Sequence, residues 1–310
     1  MSVRDLTRYE KFRARRFDEM GAFSRSHIPG GIATIKYNGG VLDLLVRRHP
    51  EAETTIVMFH AAVKRAASRP IFSGLGVTKD LNANIVLVSD PTLDLHERLT
   101  LAWFAGNRRQ RLQADLPGML QQIFEKLGTA HKIFYGGSGG GYASLYYSSL
   151  FPRSLAIASN PQTSIGKFWP RTVTDYVSAA FYEVADVPSA VEVLSDRKII
   201  HDLCAHYGER RSNSVAYLQN SPDARHVWSH LLPFYKATAP GTANYLLGDW
   251  GPGHHAPPRQ KIVSVLQTAV NAGGNWPWMM TEEGFSSDLH ASELEAQSLG
   301  GLEGVEGWFA

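Results

Sequence analysis

The sequence predicts an α/β protein with a mostly parallel eight-stranded sheet and an antiparallel start. Short β-branched apolar runs alternate with helix-like segments over most of the chain. A hairpin signal, Asn38-Gly39-Gly40, opens the series. An aromatic-rich, helical stretch without strand-like runs, about residues 162–212, interrupts the alternation as a helical cap insertion over one edge.

Each element has its own signal. The first twenty residues space Val3, Leu6, Tyr9, Phe12, Phe17 and Met20 at roughly helical intervals among basic residues, predicting an amphipathic helical extension over 1–31. Such a face either docks on its own domain or lies on a membrane surface; its shortness and the interspersed acids favour docking. The core, residues 32–272, begins with "IATIKYNGGVLDLLVR", two strands around the turn. "TTIVMFHAAV" (54–63) and "NANIVLVSDP" (82–91) are buried strands, with room between them for a crossover helix. "LPGMLQQIFEKLG" (116–128) is a helix with Pro117 near its first turn and Gly128 as its stop. Next come strand "HKIFYGG", helix "GYASLYYSSLFP" and strand "RSLAIASNP". After the insertion come strand "NSVAYLQNSPD" (213–223), helix "ARHVWSHLLPFYKA", strand "GTANYLLGD" (241–249) and helix "PPRQKIVSVLQTAVNAGG". Residues 273–310 carry acids and no lysine or arginine, with Trp276, Trp278, Phe285 and Trp308 among them. They read as an acidic aromatic tail, partly docked, with the basic N-terminal segment as its candidate partner.

Composition narrows the function. A chain of 310 residues, 44% apolar and 19% charged, can bury a sizeable core and is no disordered chain. A formal charge of +2, with no basic stripe interleaved with aromatics, argues against nucleic acid. The single cysteine, Cys204, excludes an intrachain disulfide framework and cysteine metal motifs, and a disulfide-free chain fits a cytoplasmic location. The first twenty residues have no apolar h-region, and no run approaches the roughly 18 apolar residues of a membrane span. The expectation is a soluble protein without stable membrane insertion.

The chemistry concentrates at Gly136-Gly137-Ser138-Gly139-Gly140, a G-x-S-x-G pattern between a predicted strand and a predicted helix. There a serine is held in a strained turn that projects its hydroxyl. Small residues two before and two after let strand and helix pass closely, and the Gly139 amide faces a developing oxyanion. A phosphate loop is the competing reading. It fails because no Lys-Ser/Thr follows the glycines, and Gly139-x-Gly141-x-x-Ser144 lacks the third glycine of a dinucleotide fingerprint.

A serine needs a base oriented by an acid. Asp223 follows a strand end in a turn marked by Asn220, Ser221 and Pro222, and is the candidate acid; a simple helix cap is its plain alternative. Asp249 is the rival acid, whereas Glu183, Asp186 and Asp196 lie inside the helical insertion. The loop "GDWGPGHHAPP" offers His254 and His255. Adjacent side chains in an extended segment point opposite ways, so one of them reaches the serine; His254 is preferred and His255 is the alternative base. A metal pair there, or His226 with His230 at i,i+4, is a further reading, but no carboxylate motif accompanies them and no metal is expected. The second oxyanion donor is expected from the loop "FHAAVKR", at the Ala62 amide with His60 and Ala61 shaping the loop. Ala61 stands where His-Gly is usual.

The hairpin start, "FHAA", "GGSGGG", "SPD" and "GPGHH", in this order over roughly residues 32–272, resemble the α/β-hydrolase superfamily. The resemblance implies that fold and serine-based acyl transfer without a cofactor, on a small-molecule ester or an acylated glycan. "SNPQTS", "YLQNSPDARHV" and "GHHAPP" look more narrowly like a bacterial hydrolase-like group linked to capsule or glycoprotein glycan modification, including O-acetyl transfer. Phe168, Trp169, Tyr176, Phe181 and Tyr182 are expected either to wall the pocket or to form the core of the cap.

Overall fold

The structure, a computed structural model, describes residues 4–28, 30–65 and 67–289. Its strands are β1 (Ala14–Phe17), β2 (Gly31–Tyr37), β3 (Gly40–Arg47), β4 (Thr54–Phe59), β5 (Asn84–Ser89), β6 (His131–Gly137), β7 (Leu155–Ser159), β8 (Ser214–Asn220) and β9 (Ala243–Gly248). They form one nine-stranded sheet in the order β1-β2-β3-β5-β4-β6-β7-β8-β9. Asn38 and Gly39, at φ of 47° and 82°, turn β2 into β3. The β2/β3 and β3/β5 pairs are antiparallel, and the strands from β5 through β9 run parallel.

The ninth strand corrects the expected N-terminal helix. Thr7–Tyr9 is a single 3₁₀ turn, Ala14–Phe17 is a strand, and only Met20–Arg25 (α1) is helical. The apolar residues that mimic a helical period have separate tasks. Tyr9 is buried edge-to-face on Phe72 with ring centroids 5.0 Å apart, and its hydroxyl accepts a hydrogen bond from the Phe72 N–H. The backbone of β1 pairs with the free edge of β2, from Ala14 opposite Ile32 to Phe17 opposite Ile35. Gly31 permits this approach, since a Cβ there would fall 2.1 Å from Arg13 O.

The remaining helices are α2 (Leu112–Leu127), α3 (Gly139–Ser148), α4 (Pro170–Ala180), α5 (Val187–Asp196), α6 (Leu203–Gly208), α7 (Ala224–His226), α8 (Leu232–Ala237), α9 (Arg259–Asn271) and α10 (Trp276–Glu282). A π turn, Val227–Leu231, joins α7 to α8. Two expectations change here. The connection from β4 to β5 contains no helix among its described residues, because Pro70, Gly74 and Gly76 interrupt it. Pro117 sits inside α2 rather than in its first turn. The Gln113 carbonyl that an N–H at 117 would have served accepts the Tyr146 hydroxyl instead, at 3.3 Å. Gly128 ends the helix in the left-handed conformation, φ 65°.

Apolar side chains fill both faces of the sheet. One core joins Val57, Val86, Phe134 and Ala156 to Leu116 and Leu120 of α2, Tyr142 and Leu145 of α3, and the insertion's Tyr176 and Leu194. The other joins Ile56, Ile85 and Ile133 to Val265 and Leu266 of α9 and to Trp276 and Met279 of α10. The described part of the tail therefore packs on the sheet through α10. The Trp276 Nε1 donates to Arg153 O at 2.9 Å, and Ser286 bridges to Tyr245 of β9. Trp308 lies outside the described residues.

Candidate active site

Parallel strands deliver their C-terminal ends to one rim of the sheet, and the predicted site residues follow four of them: Ser138 after β6, Asp223 after β8, His254 after β9 and Ala62 after β4. Ser138 occupies a strained backbone conformation, φ 55° and ψ −119°, at the junction of β6 and α3. The flanking glycines are required by contact. A Cβ on Gly136 would fall 2.1 Å from Gly140 O, and one on Gly140 would fall 2.4 Å from Phe59 O. Strand, helix and the neighbouring β4 cross there with no room for a side chain. The Ser138 N–H donates to Ser159 O at 2.9 Å, anchoring the turn to β7.

Asp223 and His254 are brought together: His254 Nδ1 lies 2.6 Å from Asp223 Oδ2. Asp223 is buried and also caps the start of α7, accepting from the His226 N–H at 3.2 Å. Burial alone would push its carboxyl up. The hydrogen bonds and charges of His226 and His254 outweigh that and hold it well below the usual carboxylate range. His254 is about 43% exposed. His255 turns to its own loop, with Nδ1 2.7 Å from Pro252 O, and Asp249 accepts from the Gly251 N–H. Among the described residues Ser138 Oγ makes no hydrogen bond with His254; it accepts one from Gln162 Nε2 at 2.7 Å.

His226 is part of this cluster. Its Nδ1 lies 2.9 Å from the same Asp223 oxygen, and its ring stacks on His254 with centroids 4.1 Å apart and planes 19° apart. Burial pushes its pKa down, against the pull of Asp223. Asp223, His226 and His254 place ligand-type atoms within 4.8 Å of one another. Both imidazoles direct Nδ1 at the one Asp223 oxygen, so the three groups converge on a single point. His230 is wholly buried and serves the backbone, accepting from the Thr163 N–H through Nδ1 at 3.2 Å.

On the opposite side, His60 is buried after β4. Its Nδ1–H donates to Ala61 O (2.8 Å) and its Nε2 accepts from the Asp90 N–H (3.2 Å), and burial lowers its pKa to about 4. The neutral ring thus ties the loop after β4 to the end of β5. Ala62 is exposed in this loop, and its amide donates no backbone hydrogen bond among the described residues. The insertion's aromatics divide. Tyr176 and Phe181 are buried core, whereas Trp169 and Tyr182 are exposed, with Arg225 stacked over the Trp169 ring at 3.8 Å.

Three carboxamide side chains complete the site. Gln162, fully buried, donates to Ser138 Oγ and accepts from Trp103 Nε1 at 2.8 Å. Asn220, at the end of β8, donates through Nδ2 to Gly251 O and Gly253 O, while Asn160, after β7, donates to His255 O. Amides in "NPQTS" and "LQNSPD" look like ordinary turn residues; only their position at strand ends hints at more.

This sheet order, the strained serine after β6 and the loops at the strand C-termini define the α/β-hydrolase fold. Among solved structures, the chain is similar to the capsule O-acetyltransferase of Neisseria meningitidis serogroup A, with 15% identity and a TM-score of 0.56 over 78% of this chain and 95% of that one. It is also similar to 2,6-dihydroxy-pseudo-oxynicotine hydrolase, with 12% identity and a TM-score of 0.54 over 79% and 69%. A third likeness is to MPT51 of Mycobacterium tuberculosis, with 10% identity and a TM-score of 0.50 over 76% and 94%. At these identities the likeness establishes the fold. No protein-family model and no curated protein matches the sequence. No helix among the described residues is long and apolar enough to cross a membrane.

Proposed function

We propose that this protein is a serine-dependent acyl-transfer enzyme, an ester hydrolase that works through an acyl-enzyme. The observation that carries the proposal is the strained Ser138 on the same sheet rim as the 2.6 Å Asp223–His254 pair. His254 takes the Ser138 hydroxyl proton as Oγ bonds to the ester carbon, and the carbonyl π pair moves onto oxygen. The Gly139 and Ala62 amides face that oxyanion. When the C=O re-forms, the bond to the leaving alkoxide breaks and His254 returns the proton to it. Water, deprotonated by His254, then bonds to the acyl carbon. As the C=O re-forms the bond to Oγ breaks, His254 returns the proton to Ser138, and the acid leaves. Asp223 keeps Nδ1 of the imidazole protonated and Nε2 free to act.

A second reading exchanges water for a sugar hydroxyl, making the protein a glycan O-acyltransferase in the cytoplasm. It draws on the likeness to a capsule O-acetyltransferase, which spans 95% of that chain. The exposed Trp169, adjoining Phe168 whose ring faces His226 at 6.3 Å, offers a flat surface for a sugar ring.

The deciding experiment treats the folded protein with a fluorophosphonate probe and locates the adduct by mass spectrometry. An adduct on Ser138, lost in Ser138→Ala and His254→Ala, is expected. Ester turnover with and without a glycan acceptor then separates the two readings by product. A folded wild-type protein that resists the probe would sink both and favour a noncatalytic binding or assembly role on the same fold.

A further inference from the structure

The amide of Gln162 can face only one way. An indole N–H donates and never accepts. Trp103 Nε1 donates to Gln162 Oε1, so the NH₂ group must point to Ser138, where Nε2 lies 2.7 Å from Oγ. Trp103 is itself held under strain. It and Phe104 both have positive φ, 52° and 54°, and both are fully buried. Such conformations are costly for residues with a side chain and persist where the surroundings over-determine them. Here Asp90 Oδ2 accepts the Phe104 N–H at 2.8 Å, and the Tyr147 hydroxyl donates to Phe104 O at 2.7 Å.

A donor on Oγ does nothing for the resting nucleophile, since it occupies a lone pair that attack requires. A contact equally strong in ground state and transition state gives no rate either. The gain comes after attack. The Oγ–C bond forms, the carbonyl pair moves onto oxygen, and the proton goes to His254. The new oxyanion then sits on the same carbon as Oγ, beside the Gln162 amide. Resting on the acyl-transfer reading above, we infer that Gln162 is a side-chain oxyanion donor. Its Nε2–H leaves Ser138 Oγ for the oxyanion, and Trp103 is the positioning residue that keeps it facing there. The Gly139 amide at the start of α3 is the backbone counterpart.

Three variants test this: Gln162→Met, which conserves volume and removes the donor; Gln162→Glu, which keeps an acceptor for Trp103; and Trp103→Phe, which leaves Gln162 in place without its anchor. Each is compared with wild type for kcat and KM on p-nitrophenyl acetate, for the rate of fluorophosphonate labelling, and for thermal unfolding. Both Gln162 variants are expected to lose about 10²–10³-fold in kcat with little change in KM, and to label correspondingly slowly. Trp103→Phe is expected to lose kcat by a smaller factor, again without a change in KM. Wild-type or raised kcat in Gln162→Met overturns the inference, and so does a loss confined to KM or to melting temperature. Should Gln162→Met fail to fold, unchanged kcat in Trp103→Phe overturns the aiming argument on its own. Absence of labelling in wild type removes the acyl-transfer reading and this inference together, an outcome distinct from the others because only it leaves wild-type Ser138 unmodified.

Discussion

Asn220 donates through Nδ2 to Gly253 O at 2.6 Å, tying the last residue of β8 to the residue before His254. The same side chain reaches Gly251 O at 2.8 Å and accepts from the Trp250 N–H at 2.8 Å. A loop of glycines and prolines has no structure of its own to aim an imidazole; two carboxamides from neighbouring strands supply it. Asn220→Asp keeps the acceptor and loses the donors. On the proposed role of His254 as base, misplacing its ring should lower ester kcat by about 10²-fold. Full turnover in Asn220→Asp would show that the loop holds its shape without them.

The two adjacent histidines should separate cleanly. His254→Ala is expected to lose about 10⁴-fold or more in kcat, as removal of a triad base does. His255→Ala gives up a ring bonded to Pro252 O within its own loop, and is expected to keep most activity. Steady-state kinetics on both variants decides it, and equal losses would transfer the role of base to the pair as a whole.

The glycines around Ser138 make a stability prediction independent of catalysis. Gly136→Ala would set a methyl 2.1 Å from Gly140 O, and Gly140→Ala one 2.4 Å from Phe59 O. Backbone atoms cannot rotate out of the way as a side chain would. Each substitution should destabilise the fold by about 1–3 kcal/mol or more, read as a lowered urea midpoint. An unaffected midpoint would mean that strand and helix are farther apart than described.

His60 and Asp90 carry opposed pH dependences. Burial lowers His60 from 6.5 to about 4. The unfolded chain therefore holds the extra proton across that range, and stability falls as pH drops. Burial raises Asp90 from 3.8 to about 6. There the folded chain holds the extra proton, and stability rises as pH drops from 6 towards 4. Each slope amounts to about 2 kcal/mol between pH 6 and 4, and the two largely cancel. Relative to wild type, His60→Gln should gain stability on acidification over that window and Asp90→Asn should lose it. Urea unfolding at pH 4, 5 and 6 measures both, and parallel curves for all three proteins would refute the assignment.

How far the sequence could be read depended on where each signal is local. The elbow was legible because its chemistry demands small residues at fixed spacing around Ser138, and that spacing is met. The Asp223–His254 contact was legible because strand ends bring distant loops together in a fixed order. The strand β1 was not, since its apolar residues repeat with a helical period while its backbone answers to the open edge of β2. The contacts of Gln162, Asn160 and Asn220 were not legible, for another reason. A carboxamide is chemically plain, and its role arises from what the fold sets beside it, such as the Trp103 indole or the Gly253 carbonyl.

The short strand β1 has a further consequence. It forms one outer border of the sheet, and three of its four residues, Ala14, Arg15 and Arg16, face solvent. Behind it lies β2, seven residues long and buried at six positions. Removing the segment through Phe17 would leave a seven-residue, largely apolar strand with the amides and carbonyls of its outer edge unpaired. Two arginines on a four-residue strand form a border that other molecules pair with poorly. Deleting the segment through Phe17 is therefore expected to raise concentration-dependent self-association, read by light scattering.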